Sequence, residues 1–127
     1  MRISSIAALV TASLLLANSP VHAAQSTSDG RVSVAQVMEM VEAVSTKPEA
    51  LQILTAYLAG VGEAAGILTA AKDSKGRRYV SCARPLSVDA NAALAAMNAA
   101  APDRGKWGQI AATPILVAEI TGRAGCK

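Results

Sequence analysis

The chain has 127 residues, 12 basic and 9 acidic side chains, a formal net charge of +3, no Phe and only 2 % aromatic residues. That is the size of one domain with one core, and its charge is too weak to point to nucleic acid. His22 is the only histidine.

The N-terminus reads as a secretory leader. Arg2 supplies a positive charge, an apolar run extends from Ile6 to Ala17, and Asn18-Ser19-Pro20 breaks it. Val21-His22-Ala23 then offers small residues at the positions a signal peptidase reads. This pattern predicts a signal peptide over residues 1–23 and a mature chain starting at Ala24. The run falls short of the ~20 residues a membrane span needs, so it reads as removed rather than kept as an anchor. Removal leaves 104 residues, with 11 basic against 9 acidic side chains and a net charge of +2. No later segment reads as long and apolar enough to span a bilayer. The expected location is a bacterial periplasm.

Residues 24–32 are polar and turn-rich and read as a disordered tail. The domain is expected over 33–127. Ser33 and Gln36 have the spacing of a capping box and predict a first helix to about Ser45, with Val34, Val37, Met38, Val41 and Val44 on one face. Thr46 and Glu49 repeat the spacing around Pro48 and predict the start of a second helix. That helix carries two apolar stripes. One is Leu51, Leu54, Leu58, Val61, Ala65 and Leu68. The other is Ile53, Tyr57, Gly60, Ala64 and Ile67. So wide an arc predicts a helix central to the fold, with Gln52, Thr55 and Glu63 on its polar face.

Lys72 to Arg78 reads as a loop. Tyr79-Val80-Ser81 reads as briefly extended. A third helix is expected from a Ser87 cap to about Ala101, with Ala90, Leu94, Met97 and Ala101 inward. Pro102 to Gly108 breaks the pattern. Thr113-Pro114 is expected to open a short last helix that ends near Gly122 and Gly125. With no strand ladder, the fold class is all-α: a small four-helix, bundle-like domain.

Few residues offer chemistry. Without His22 the mature chain can build no histidine-based triad and no histidine metal site. Two thiols cannot close a structural zinc site. Cys82 and Cys126 are an even pair in an exported chain, which reads as a disulfide. The other reading, a redox or nucleophilic thiol, lacks both a Cys-x-x-Cys motif and a histidine to activate it. Gly60, Gly62 and Gly66 have the wrong spacing for a dinucleotide loop and lie inside a helical pattern. Each costs up to ~1 kcal/mol against Ala, so close packing of the helix is the expected reason. No cofactor and no catalytic residue is indicated.

Two loops are candidates for partner contact. One is Asp103, Arg104, Lys106 and Trp107, with Trp107 as the anchor if it is exposed. The other carries Lys72, Lys75, Arg77 and Arg78 and reads either as a solvated loop or as an electrostatic dock.

The order of these features is similar to a known family. Ala56-Tyr57-Leu58-Ala59-Gly60-Val61 lies in the central helix; Cys82-Ala83-Arg84-Pro85 follows a loop; Cys126 lies almost at the C-terminus. Across residues 34 to 126 this resembles the periplasmic immunity proteins that neutralise type VI secretion amidases, the Tai-type family. The resemblance implies an all-helical, often dimeric protein that blocks the active-site cleft of a peptidoglycan amidase. One departure is clear. The family tends to carry a cysteine one turn before the tyrosine, where this chain has Leu54. Either Cys82 pairs with Cys126, or the disulfide pattern is lost.

The functional expectation is an exported, non-enzymatic binding protein whose partner is a cognate amidase effector. The alternative is a small periplasmic helical chaperone that holds clients on apolar surface.

Overall fold

A computed structural model describes residues 24–127. The leader expected over residues 1–23 lies outside the described residues. Four helices form the fold: α1 (Val34–Ala43), α2 (Pro48–Thr69), α3 (Ala90–Ala100) and α4 (Ala112–Arg123), with a short 3-10 turn at Arg104–Lys106. Among the described residues there is no strand, only two isolated antiparallel bridges, Ser33 to Ala111 and Lys72 to Arg78.

The caps show how local chemistry sets the boundaries. Ser33 forms the expected box: its hydroxyl accepts from the Gln36 N–H at 3.1 Å and the Gln36 side chain accepts from the Ser33 N–H at 3.0 Å. The second box does not form. The Thr46 hydroxyl instead donates back to the Ala43 carbonyl, closing the end of α1, and α2 starts at Pro48 with Lys47 uncapped at its N-terminus. Pro48 fixes φ and needs no N–H partner in a first turn, which suffices to start the helix. α3 is capped by Asp89, two residues beyond the expected Ser87, through the Ala92 N–H at 2.8 Å. α4 begins at Ala112, so Thr113 lies inside it; there its hydroxyl meets the Tyr57 hydroxyl at 2.9 Å and ties α2 to α4.

The tail is not disordered. Thr27 is buried and receives the Arg31 N–H on its hydroxyl, while Asp29 pairs with Arg31 at 2.7 Å. The buried Ser33 hydroxyl donates to the Gln25 carbonyl, and the Ala24 nitrogen donates to Glu39 at 2.7 Å. A polar composition misled the expectation because its Ser, Thr and Asp side chains find backbone partners locally.

The core is aliphatic. Val34, Val37 and Met38 of α1 meet Leu54, Leu58, Val61 and Ala65 of α2, Ala93 and Met97 of α3, and Leu116 and Ile120 of α4. Tyr57 packs against this core half-buried, as expected of a packing residue. Of the first α2 stripe, Leu54, Leu58, Val61 and Ala65 are buried, while Leu51 and Leu68 near its ends are 48 % and 72 % exposed. Ile53 and Ile67 on the other stripe are 58 % and 75 % exposed. α2 is therefore not surrounded, and its second apolar stripe stays open beside the polar face of Gln52, Thr55 and Glu63. The expectation that no mature segment has the length and apolarity of a membrane span is also corrected. α2 has both, because Ala, Gly, Leu and Ile fill it, and 28 % of its most apolar stretch is buried.

The long connection from α2 to α3 is fastened to the helices at three places. Cys82 and Cys126 form a disulfide. The Ala124 carbonyl accepts from both Ala83 and Arg84, and Ser81 and Lys127 exchange backbone bonds at 3.0 and 2.9 Å. Finally, the chain at Leu86 crosses α2 at Gly62, where an added Cβ would lie 2.7 Å from the Leu86 carbonyl oxygen. The three α2 glycines thus divide. Gly62 is there for close approach. At Gly66 an added Cβ would meet the Leu86 side chain at an ordinary 3.9 Å. At Gly60 it would meet open space, so Gly60 is not a packing residue among the described residues.

Two outcomes follow from these contacts. Gly62→Ala should lower the midpoint of thermal unfolding, because backbone must shift to admit the methyl group. Gly60→Ala should raise stability by about 1 kcal/mol, the ordinary gain for Ala over Gly in an exposed helix. Calorimetry on the pair checks both signs. Reduction of Cys82–Cys126 should lower the melting temperature by more than about 10 °C, since the loop it closes is worth roughly 4 kcal/mol in chain entropy.

Candidate functional site

The two loops singled out in the sequence lie on different parts of the domain and have different roles. In the first, Asp103 caps the 3-10 turn by accepting the Gly105 N–H at 3.0 Å, and Lys106 reaches back to Asp103 at 3.6 Å. Trp107 turns inward. It is 9 % exposed, its Nε1–H donates to the Ala101 carbonyl at 2.7 Å, and the Arg104 guanidinium covers its ring at 5.2 Å. Its own carbonyl accepts the Ala35 N–H of α1. The expectation that Trp107 anchors a partner is corrected: with so few aromatic residues, the largest side chain closes the core. Asp103, Arg104 and Lys106 remain exposed around it.

The second loop is an ordered hairpin turn. Asp73 organises it. One carboxylate oxygen accepts the N–H groups of Lys75 and Arg77 at 2.9 and 2.8 Å, and the other receives the Arg77 Nε–H at 2.8 Å. These bonds, led by the Arg77 backbone N–H, hold the Asp73 carboxyl below the ordinary aspartate value. Gly76 takes φ +75°, a left-handed turn that suits glycine. Lys72, Lys75, Arg77 and Arg78 all point to solvent. Tyr79, expected in an extended run, is 69 % exposed at the root of the hairpin, where its N–H donates to the Ala71 carbonyl.

Sequence reasoning missed a third surface. Ile53, Ala56, Gly60, Ala64 and Ile67 are all exposed and line one side of α2 at spacings of three and four. Around the helix from them, past the exposed polar side chains of Gln52 and Glu63, a groove of 370 Å³ runs between α2 and the segment before α3, lined by Leu51, Thr55, Leu58, Ala59, Leu86 and Val88 among others. The signal was present: two apolar stripes on one helix exceed what a four-helix domain of this size can bury on one side. Tyr57 marks the boundary between the stripes. Burial raises its hydroxyl pKa, partly offset by the bond to Thr113.

No three His, Cys, Asp or Glu side chains converge on a point among the described residues. No family model, curated protein or solved structure matches the chain.

Trp107→Ala should therefore act on folding. It should cost about 3–5 kcal/mol in denaturant unfolding, the range for a large buried side chain removed from a core. Arg104→Ala, which leaves the buried ring in place, should cost far less.

Proposed function

We propose that the protein is an exported, non-enzymatic binding protein of the immunity type, which covers the active-site cleft of a peptidoglycan amidase delivered into the periplasm by type VI secretion. The observation that carries the binding role is the open apolar side of α2. Contiguous apolar surface costs free energy in water at ~25 cal/mol per Å², and such patches mark sites that a partner covers. The stripe from Ile53 to Ile67 provides one, and the groove on another side of α2 provides a second apolar surface. Small residues at Ala56, Ala59, Gly60 and Ala64 allow close approach of another backbone. Leu51, Leu86 and Val88 give the groove apolar walls, while Thr55, Ser87 and Asp89 supply polar groups beside them. Such a surface needs little ordering on binding, because the disulfide and the Leu86 crossing already fix one wall.

The amidase as partner rests on the resemblance carried by Tyr57 and Gly60, Cys82 and Pro85, and Cys126. Inhibition by occlusion needs surface complementarity and no chemistry from the inhibitor. The signal peptide over residues 1–23, removal before Ala24 and a second copy as an alternative occupant of the stripe belong to the same reading.

Survival is the direct test. Cells lacking the gene, with and without its restoration, should differ in survival against a competitor that delivers the amidase. The purified protein should bind that one amidase. Ala59→Arg, which places a long charged side chain in the groove region, should weaken binding at least about tenfold, or ~1.4 kcal/mol, with little change in melting temperature. No protection and no amidase binding would sink the proposal. Broad suppression of client aggregation in its place would establish the chaperone alternative.

A further inference from the structure

We propose that the end of the molecule formed by the last turn of α2 and the Lys72–Arg78 hairpin docks on the surface of an anionic phospholipid bilayer. This inference does not rest on the immunity reading, and its surface shares only Ile67 with the stripe used there. Two kinds of side chain meet there. Ile67 and Leu68, in the last turn of α2, are 75 % and 72 % exposed, and Tyr79 is 69 % exposed. The Tyr79 N–H bond to the Ala71 carbonyl pins the tyrosine backbone to a residue three positions past Leu68 and four past Ile67. Around this apolar tip stand Lys72, Lys75 and Arg78, for which the described residues provide no ion-pair partner.

The charge balance favours an anionic surface. Between Ala64 and Cys82 the chain has four basic residues and one acid, Asp73. That acid is already satisfied within the hairpin by Arg77 and two backbone N–H groups, so its charge is spent on shaping the turn. The remaining three cations are held on a short, ordered turn. Each basic side chain near an anionic bilayer contributes attraction, and the contribution is screened by salt. Aliphatic side chains insert at the acyl boundary, while tyrosine favours the headgroup level. Neither signal alone gives firm binding. Together they give the two-part attachment that a peripheral protein needs.

The choice of a bilayer over a protein cleft follows from charge complementarity: three cations with no ion-pair partner among the described residues belong to the same end of the molecule as three exposed apolar side chains.

The test uses the chain from Ala24 onward, which contains the whole core and lacks the apolar leader. It is sedimented with vesicles of phosphatidylglycerol and phosphatidylethanolamine in equal parts, and with phosphatidylcholine vesicles. Binding is expected to the first and not to the second, and it should be lost as salt is raised. Lys75→Glu with Arg78→Glu should weaken it at least about tenfold. Ile67→Ser with Leu68→Ser should also weaken it, at unchanged net charge. Arg104→Glu with Lys106→Glu, which changes net charge equally at the other loop, should leave it nearly unchanged. Both hairpin charges and all four serine or control positions are exposed, and far-ultraviolet circular dichroism confirms that each variant folds. Absence of anionic-vesicle binding overturns the proposal. So does equal loss in the Arg104/Lys106 variant, which would make net charge the cause. Hairpin variants that lose amidase binding while vesicle binding is absent would assign this tip to a protein partner instead.

Discussion

Gly62 lacks a side chain because the carbonyl of Leu86 occupies the place where one would stand. That contact governs the rest of the domain. A core without Phe and with a single Trp offers few large side chains to fill space. Close packing must then come from backbones approaching one another. The segment between the hairpin and α3 has no helix or strand of its own, so it cannot hold position by internal hydrogen bonds. It is fixed by contact with α2 at Gly62 and with the end of α4 at Ala124, and the Cys82–Cys126 bond secures that second attachment. Once this segment lies across one flank of α2, the groove beside it has a wall, and the opposite flank is left to α1 and the N-terminal strap.

The elements whose signals were local and exclusive were legible in the sequence. Ser33 and Gln36 had no competing partners, and their box formed as spaced. The disulfide followed from two cysteines and an inferred compartment. Thr46 and Glu49 had the same spacing, but the Thr46 hydroxyl was within reach of the Ala43 carbonyl at the end of α1, and that bond won. A spacing rule cannot see such competition, because it depends on where the preceding helix stops. Trp107 was ambiguous for a related reason. Its neighbours Arg104, Gly105 and Lys106 signal an exposed turn, and the turn is exposed; only the indole is folded inward, drawn by the Ala101 carbonyl.

The α2 stripes carry the broader lesson. Periodicity reported both of them correctly, yet it could not say what would cover the second. Among the described residues nothing does. The apolar stripe of α2 and the cationic tip beyond it meet at Ile67 and differ in chemistry: one is built mostly of small, neutral side chains, the other is aliphatic and basic.

Trp107 has a consequence of another kind. It is the chain's only tryptophan, it is nearly enclosed, and it joins the α3–α4 connection to the first turn of α1 through two backbone partners. Its near-ultraviolet emission therefore comes from one site, with no second indole to blur it. Because that site lies where three segments meet, separation of any one admits water to the ring and shifts the light it emits. The molecule carries a built-in optical gauge of its own integrity.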